Sequence, residues 1–236
     1  MPTEMALKGT HERVLSLLER AGCLEPGVEV LDLGAGQGAF SARLVGAGVS
    51  VSACDVITDQ FEVDGVQCRQ IEDSGALPYE SSRFDLVVAL EVVEHAAGHD
   101  RFFAEVARVL KPGGRLLFTT PNILSLKSRM LFLLTGTFYS FGPLEPFTSD
   151  PISQHIAPFN INRYTWMLSQ FGLHIETVET DKYQTTSLLL SFLAPLVWLA
   201  TRIVYGNDRH ARDQNAPVTL FGRGLQVLAR KGQSAS

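Results

Sequence analysis

The sequence predicts an α/β protein with a mostly parallel sheet covered by helices on both faces. Short apolar segments rich in β-branched residues, such as 28–33 and 49–54, alternate with segments of helical periodicity. This alternation is typical of parallel strands joined by right-handed crossovers. Residues 84–90 are apolar on both faces, as expected of a strand inside such a sheet. The chain has 236 residues, of which 45% are hydrophobic, enough for one domain with a sizeable core.

The first half of the chain supplies the alternating elements. Residues 11–20 place Val14 and Leu18 on one side of an amphipathic helix. Residues 111–114 (KPGG) contain the proline and glycines that end a helix, so they separate the third helix from the fifth strand. The elements that we expect up to residue 120 are helices at 11–20, 40–46 and 100–110, and strands at 28–33, 49–54, 66–71, 84–90 and 115–120.

The pattern changes after residue 120. Residues 121–158 form a long segment rich in aromatic residues and proline. The remaining elements are predicted as a helix at 161–171, a strand at 173–178, an apolar stretch at 188–204 and a final strand or hairpin at 218–229. Residues 1–236 are therefore predicted to form a single domain, with a lid or substrate insertion at about 122–158 and an apolar helical segment at about 187–205.

Composition and charge indicate which partners and which cellular location to expect. The formal net charge is −5 and the sequence contains no run of lysine and arginine, so we expect no nucleic acid partner. The three cysteines form no C-x-x-C pair, and their odd number argues against a disulfide framework. The amino terminus lacks the charged start and apolar core of a signal peptide. The expected location is a reducing cytoplasm.

Residues 30–41 (VLDLGAGQGAFS) indicate a buried strand, a glycine turn and the start of a helix. The helix start directs N–H groups at whatever lies over the turn. Gly34, Gly36 and Ala39 match the dinucleotide-binding pattern G-x-G-x-x-G/A, and Asp55 lies about 20 residues later, where such a site has an acid that binds ribose. The G-x-G-x-G pattern preceded by Asp32 instead resembles motif I of the class I S-adenosylmethionine (SAM)-dependent methyltransferases. A tight turn without a ligand is the third interpretation that these residues leave open.

Motifs further along the chain favour methyltransferases. The segments that together resemble class I SAM-dependent methyltransferases are 73–79 (DSGALPY), 84–88 (FDLVV), 91–95 (EVVEH) and 110–114 (LKPGG). With the glycine turn, the resemblance covers roughly residues 28–180. It implies SAM as the cofactor. It also implies a Rossmann-like seven-stranded sheet whose last strand, supplied by residues 218–229, is antiparallel.

The resemblance implies that three aspartates and the glycine loop bind SAM. Asp55, at the end of the second strand, would accept hydrogen bonds from both ribose hydroxyls, because two carboxylate oxygens match a vicinal diol. Asp32 would orient the glycine loop, or the ammonium group of SAM through an intervening group. Asp73 would bind the adenine amino group. The full set of expected cofactor-binding residues is Asp32, Gly34, Ala35, Gly36, Gly38, Asp55, Asp73 and Glu91.

Residues 91–95 place two glutamates and a histidine at the carboxyl end of the fourth strand, where open parallel sheets bind ligands. The spacing resembles two metal-using groups, the ubiquinone-biosynthesis O-methyltransferases and the small-RNA 3′-terminal 2′-O-methyltransferases. Both add a later histidine, which His155 would supply. The metal ligands that this resemblance implies are Glu91, Glu94, His95 and His155. They would hold Mg²⁺ or another divalent ion, although two histidines are more usual for softer metals.

A metal-free interpretation stays open for the same residues. Many methyltransferases of this superfamily have a Glu-His pair at this position without a metal. There the histidine shapes the SAM pocket or acts as a base. His95 or His155 would then handle the substrate, or be satisfied by local hydrogen bonds. His99 is expected to be a solvated residue at the start of a helix.

The apolar stretch at 188–200 suggests a contact with a membrane or with another apolar surface. It is too short, and too interrupted by Pro195, for a membrane span of about 20 residues. One interpretation is an interfacial helix with Trp198 and Tyr205 near lipid headgroups, which would place the protein peripherally on the inner face of a membrane. The other is a hydrophobic lid with a core helix or a helix at a homodimer interface.

The sequence therefore predicts a SAM-dependent methyltransferase that acts on oxygen. We expect a small-molecule or lipid-linked hydroxylated acceptor, either a quinone-type phenol or a cell-envelope sugar. The expected catalytic residues are His95, His155 and Glu91, which would align the hydroxyl with the donor methyl group and remove its proton. Two other functions stay open: a catalytically silent SAM-binding scaffold, and an NAD-dependent oxidoreductase that uses the same glycine turn.

Overall fold

The computed structural model describes residues 9–72, 74–148 and 154–233. The strands of its central sheet are β1 (Glu29–Leu33), β2 (Ser50–Asp55), β3 (Cys68–Gln70), β4 (Phe84–Ala89), β5 (Leu110–Pro121), β6 (Leu173–Thr180) and β7 (Gly224–Lys231). Their spatial order is β3-β2-β1-β4-β5-β7-β6. The strand order reverses between β1 and β4, and open α/β sheets bind ligands at such a reversal.

Helices flank the sheet. They are α1 (Thr10–Arg20), α2 (Ala39–Gly46), α3 (His99–Val109), α4 (Leu126–Thr135), α5 (Ile161–Gln170), α6 (Thr185–Leu189), α7 (Ala194–Tyr205), α8 (Arg209–Asp213) and α9 (Pro217–Phe221). The apolar stretch at 188–204 is divided between the end of α6, a 3₁₀ turn at Ser191–Leu193 and α7. Pro195 lies in the first turn of α7, where its missing N–H leaves no helical hydrogen bond unmade.

The strand directions confirm the predicted fold class. Each neighbouring pair among β1 to β5 is parallel, whereas β7 runs antiparallel to both β5 and β6. The predicted start of the last strand was wrong. Helix α9 occupies residues 217–221, and β7 begins only at Gly224. Pro217 explains this difference, because its fixed φ favours the first position of a helix.

Both faces of the sheet are buried. On one face, Phe103 of α3 and Tyr164 of α5 pack against Phe118 of β5. On the other face, Leu18 of α1 and Leu44 of α2 belong to a second buried cluster with residues of β1 and β4. Two helical layers therefore hold the carboxyl ends of β1, β2 and β4 in place, and these ends are where a site was expected.

The KPGG segment lies within the first part of β5, which begins at Leu110 directly after α3 ends at Val109, so the predicted start of this strand at residue 115 was wrong. A Cβ at Gly114 would lie 2.9 Å from the carbonyl oxygen of Lys111, so only glycine allows this close approach. The Lys111 ammonium lies 2.8 Å from Asp85 and 3.2 Å from Glu29, which ties the amino ends of β1 and β4 together. The helix thus ends just before this segment, and the segment fastens the sheet at the end opposite to the expected site.

A smaller cluster lies outside the sheet. Leu126 of α4, Ala194 of α7 and Leu220 of α9 are buried together. Most other residues of α7 are exposed. Within the described part of the chain, none of the helices combines the length and the apolar character that crossing a membrane requires.

Candidate active site

A cavity of about 830 Å³ opens at the carboxyl ends of β1, β2 and β4. Gly34 and Gly36 line it after β1, Asp55 at the end of β2, and His95 after β4. His155 lines the same cavity from the segment that precedes α5. The glycine loop and the two histidines, which are far apart in sequence, therefore meet in one space.

Gly34 allows the glycine loop to pack closely on the loop that follows β4. Its φ is +76°, in the left-handed region, and a Cβ at this position would lie 2.4 Å from Cγ2 of Val92. The N–H groups of Gly34 and Ala35 donate to the carbonyl oxygen of Cys54 at 2.8 and 3.3 Å. These bonds fasten the loop to β2, so any larger residue at position 34 would displace one loop or the other.

Gly38 supports the loop from behind. Its φ is +90°, and a Cβ there would lie 2.4 Å from Cγ2 of Val63. Its neighbours Gln37 and Ala39 line the cavity. The third glycine of the pattern thus gives room to the segment around Val63, and it shapes the turn rather than lining the cavity.

Asp32 is buried at the end of β1. Its Oδ2 accepts a hydrogen bond of 2.6 Å from the hydroxyl of Ser41 in α2. Burial raises the pKa of Asp32 to about 6, although the hydrogen bond from Ser41 acts in the opposite direction. Asp32 also lines the cavity. It therefore ties the start of α2 to β1 directly beneath the glycine loop.

Asp55 joins the end of β2 to the same loop. Its Oδ2 accepts a hydrogen bond of 2.7 Å from the N–H of Gly36, and its Oδ1 accepts one of 3.0 Å from the N–H of Ile57. A carboxylate has about four lone-pair directions, so each oxygen keeps acceptor capacity. The arrangement is compatible with two further hydrogen bonds from a vicinal diol.

The loop after β3 borders the cavity, but Asp73 lies outside the described residues. Its neighbours Ile71, Ser74 and Leu77 line the cavity. Sequence reasoning did not assign several other lining residues to the site, namely His11, Gln37, Gln70, Arg101 and Phe102. Gln37 lies within the glycine motif, whereas the others belong to no motif and reach the cavity from α1, β3 and α3 only through the fold.

Glu91 begins the loop after β4 in an uncommon backbone conformation. Its φ is +55°, which non-glycine residues rarely adopt. Its N–H donates to Oγ1 of Thr119 in β5 at 2.8 Å, and this bond helps to hold the conformation. Glu91 lines the cavity beside the glycine loop. The strained turn thus directs the start of this loop toward the cofactor side.

Glu94 is fully buried behind the cavity. In the part of the chain that the structure describes, neither carboxylate oxygen has a hydrogen-bond partner. Burial is the main cause that raises its pKa to about 8. Its carbonyl oxygen accepts hydrogen bonds from the N–H groups of Ile156 and Ala157 at 2.9 and 3.2 Å. These two bonds hold the segment that contains His155 against the loop after β4.

His95 and His155 face each other with ring centroids 4.8 Å apart and planes at 77°. Nδ1 of His95 lies 2.9 Å from the carbonyl oxygen of Gln154, and Nδ1 of His155 lies 2.8 Å from that of Ser140. A carbonyl oxygen can only accept, so Nδ1 carries the proton in both rings. Nε2 is therefore the basic nitrogen of each neutral imidazole.

Three of the four predicted metal ligands lie close together. Glu94, His95 and His155 each offer one ligand atom within 4.8 Å of the others, whereas Glu91 does not belong to this group. A buried carboxylate without a hydrogen-bond partner is consistent with a ligand that the chain does not supply. Two imidazoles and one carboxylate suit a borderline divalent metal better than Mg²⁺.

The prediction for His99 was wrong. The side chain is buried, with its Nε2 2.8 Å from the carbonyl oxygen of Val93. Its ring also packs edge-on against Phe159 at 4.6 Å between centroids. Burial lowers the pKa of His99 and favours the neutral ring. His99 supports the loop from within, because the segment before α5 covers it.

Comparisons with known proteins agree with this geometry. Residues 6–178 match a family model described as a methyltransferase domain. The chain is 27% identical over 184 residues to a ubiquinone biosynthesis O-methyltransferase of Coxiella burnetii, covering 71% of this chain and 76% of that relative.

Two solved structures share the fold. A putative sarcosine dimethylglycine methyltransferase from Galdieria sulphuraria has a TM-score of 0.60 at 21% identity, covering 94% of this chain and 85% of that one. Phosphoethanolamine N-methyltransferase 2 of Haemonchus contortus, in complex with SAM, has a TM-score of 0.56 at 18% identity, covering 94% of this chain and 53% of that one. The match to the family model spans both the glycine loop and the loop after β4. The chain belongs to the class I SAM-dependent methyltransferases.

Proposed function

We propose that the protein transfers the methyl group of SAM to a hydroxyl group of a small-molecule or lipid-linked acceptor. The observation that carries this proposal is that His95 and His155 line the same cavity as the glycine loop. The relative that is a ubiquinone biosynthesis O-methyltransferase supports oxygen as the acceptor atom. The proposed acceptors are a quinone-type phenol and a sugar hydroxyl of the cell envelope.

The proposed cofactor contacts follow from the loop geometry. Asp55 accepts hydrogen bonds from the ribose hydroxyls through lone pairs that its two backbone bonds leave available. Gly34 and Gly36 let the backbone approach the methionine part of SAM, because glycine has no side chain of its own to keep the cofactor away. Asp32 acts through Ser41 by holding the loop and α2 in register.

The two histidines are the proposed catalytic residues. When bound, SAM supplies an electrophilic methyl group, so the chain must align the acceptor oxygen and remove its proton. Nε2 of one imidazole accepts this proton, because Nδ1 already donates to a backbone carbonyl. The two rings are close enough for one to accept the proton while the other orients the hydroxyl.

A turnover assay tests the proposal. The purified protein is incubated with SAM and a panel of catechols, quinols and sugars, and S-adenosylhomocysteine is measured by mass spectrometry. We expect S-adenosylhomocysteine to accumulate only with hydroxylated acceptors, each gaining the mass of one methyl group. Tight binding of SAM without turnover of any acceptor would instead support a silent SAM-binding scaffold.

A divalent ion held by Glu94, His95 and His155 is the second route that we propose for the same deprotonation. Such an ion would lower the pKa of the acceptor hydroxyl. The unpaired Glu94 carboxylate favours this route. The test is exhaustive chelation followed by addition of Mg²⁺, Mn²⁺ or Zn²⁺, with bound metal measured by mass spectrometry. Activity that survives chelation would leave the histidines as the only base.

A further inference from the structure

The outer segments α4, α6 and α7 expose an unusual number of large apolar side chains. Leu133 and Leu134 at the end of α4 are 74% and 76% exposed. Leu189 of α6 is 74% exposed, and Phe192 in the turn that follows it is 71% exposed. Proteins that work as isolated monomers rarely expose such groups side by side. An unpartnered surface of this kind indicates a contact that the chain alone does not make.

Helix α7 is largely exposed because only a narrow stripe of it touches the rest of the protein. Ala194 is buried, and Val197 packs against the small cluster beneath the helix. Leu199 and Ile203 project outward and are 57% and 74% exposed. Arg202 is the only charged residue in α7. The helix is therefore apolar around most of its circumference, with a single cation near its end.

The segments are held together as one surface. Asn215 accepts a hydrogen bond of 2.7 Å from Arg129 of α4, and its carbonyl oxygen accepts one of 2.8 Å from the indole N–H of Trp198 in α7. The N–H of Lys127 in α4 donates to the hydroxyl of Ser187 in α6 at 3.2 Å. We call the exposed apolar side chains of these linked segments the apolar face, namely Leu133, Leu134, Leu189, Phe192, Leu199 and Ile203.

We propose that the apolar face docks on the surface of a lipid bilayer that contains anionic lipids. Helix α7 has 12 residues, so it is about 18 Å long and shorter than the roughly 30 Å of a hydrocarbon core. A helix of this length with a broad apolar surface is suited to lie in the plane of the interface. The proposed binding partner of the apolar face is therefore the outer part of one leaflet of the bilayer.

The local charge supports an anionic surface. Residues 182–222 contain four cations, Lys182, Arg202, Arg209 and Arg212, and two acids, Asp208 and Asp213, which gives a net charge of +2. The whole chain has a net charge of −5, so the remainder is strongly acidic. The positive charge of residues 182–222 is attracted to negatively charged headgroups. The same charge would repel a second copy of the chain that approached with this region, which disfavours a dimer formed through it.

The apolar face also adjoins the candidate active site. Phe132 of α4 stacks on Phe138 with ring centroids 4.5 Å apart. The same short segment supplies Ser140, whose carbonyl oxygen accepts the hydrogen bond from His155. Docking would thus bring the mouth of the cavity near the headgroups. The docking proposal itself does not depend on which acceptor is methylated.

Vesicle binding tests the proposal directly. The full chain is mixed with vesicles of phosphatidylcholine alone or with 30% phosphatidylglycerol, and the bound fraction is measured by sedimentation. We expect binding to the anionic vesicles that weakens with added salt. The double variant Leu199→Glu/Ile203→Glu should bind at least tenfold more weakly. Its control Val45→Glu, at an exposed apolar residue of α2, should bind as the wild type does.

Charge variants separate the electrostatic part of the binding. Arg212→Glu should weaken binding to anionic vesicles by more than fivefold, since the loss of one basic residue near such a surface already costs about 1 kcal/mol and the new carboxylate is repelled. Arg13→Glu, at an exposed position of α1, should leave binding unchanged. Stabilisation of each variant by S-adenosylhomocysteine against heat shows that it is folded. A folded double variant that binds vesicles like the wild type would overturn the proposal.

Fluorescence quenching locates the contact without disturbing the apolar face. Trp166→Phe leaves Trp198 in α7 as the single tryptophan, and Trp198→Phe leaves Trp166 in α5. Brominated lipids should quench Trp198 and leave Trp166 nearly unchanged. Two results would overturn the proposal. One is the absence of quenching at both positions. The other is a dimer in light scattering that Leu199→Glu/Ile203→Glu converts to a monomer while the wild type ignores vesicles.

Discussion

The two sides of the cavity are built by different means. On the cofactor side, β1, the glycine loop and the start of α2 form one continuous unit, and Asp55 joins it from the adjacent strand. On the acceptor side, the loop after β4 meets a segment far along the chain, and His95 and His155 come into contact only through that meeting. Local backbone geometry therefore shapes the first side, whereas tertiary contacts assemble the second.

This difference makes the two sides separable by experiment. Changes on the cofactor side should lower the affinity for S-adenosylhomocysteine. Changes on the acceptor side should lower turnover and leave that affinity nearly unaltered. A variant that moves both quantities together would show that the two sides act as one unit.

The largest effect is expected from His155→Ala. Removal of a general base typically lowers kcat by a factor of about 10² to 10⁴. The affinity for S-adenosylhomocysteine, measured by calorimetry, should stay within about threefold of the wild type. His174→Ala, at an exposed residue of β6, is the matched control and should keep full activity. A comparable loss of cofactor affinity in His155→Ala would break the division between the two sides.

The next largest effect is expected from Gly34→Ala. The new Cβ would collide with Val92, so the loop must move, and affinity for S-adenosylhomocysteine should fall by about 30-fold. Gly48→Ala is the matched control, because Gly48 also has a left-handed φ of +84° but has open space around it. Its affinity should stay close to that of the wild type. Adding Val92→Ala to Gly34→Ala should recover part of the loss.

The same division explains what could be predicted from the sequence. Asp32, Gly34, Gly36 and Asp55 line one cavity, and their spacing could be recognised in the sequence because the first three belong to one strand–turn–helix unit. The mostly parallel sheet followed from the alternation of elements, whereas the seven strands and the antiparallel last strand were expected only from the resemblance to a family. His155 was placed beside His95 only through resemblance to a family, since no local pattern relates two residues so far apart in sequence.

The errors have tertiary causes. His99 was expected to be solvated, but Phe159 packs on it from a segment that no periodicity connects to α3. His11 lines the cavity although nothing in its helix marks it. Gly38 fitted a cofactor motif, yet its neighbour is Val63, so the packing behind the loop also requires glycine. A motif shows which residues occur together, and the fold decides which of them contact the ligand.

The buried carboxyl group of Glu94 on the acceptor side should make the stability of the protein depend on pH. Its pKa is about 8 in the folded protein against an ordinary value of 4.5, so the folded state keeps a proton that the unfolded state loses between these values. The free energy of unfolding should therefore fall as the pH rises through this window, by up to about 1.4 kcal/mol per pH unit. Glu94→Gln should lack this dependence.

The measurement is urea unfolding at pH 5.5 and 7.5 with a chelator present, so that no cation binds the carboxylate. Between these values the wild type should lose about 2 kcal/mol more than Glu94→Gln. Glu80→Gln, at an exposed glutamate, should retain the wild-type dependence. Equal slopes for the wild type and Glu94→Gln would mean that the Glu94 carboxylate is paired or hydrated in solution.

The smallest effect is expected from Ser41→Ala on the cofactor side. The substitution removes the hydroxyl that donates to the buried carboxylate of Asp32 and should lower the free energy of unfolding by about 1–2 kcal/mol. It should also raise the pKa of Asp32 further, since that hydrogen bond favours the charged form. Ser50→Ala, at an exposed serine of β2, is the control. If Ser41→Ala lowered kcat without weakening S-adenosylhomocysteine binding, Asp32 would act on the acceptor side as well, and the glycine loop could no longer be treated as a separate cofactor unit.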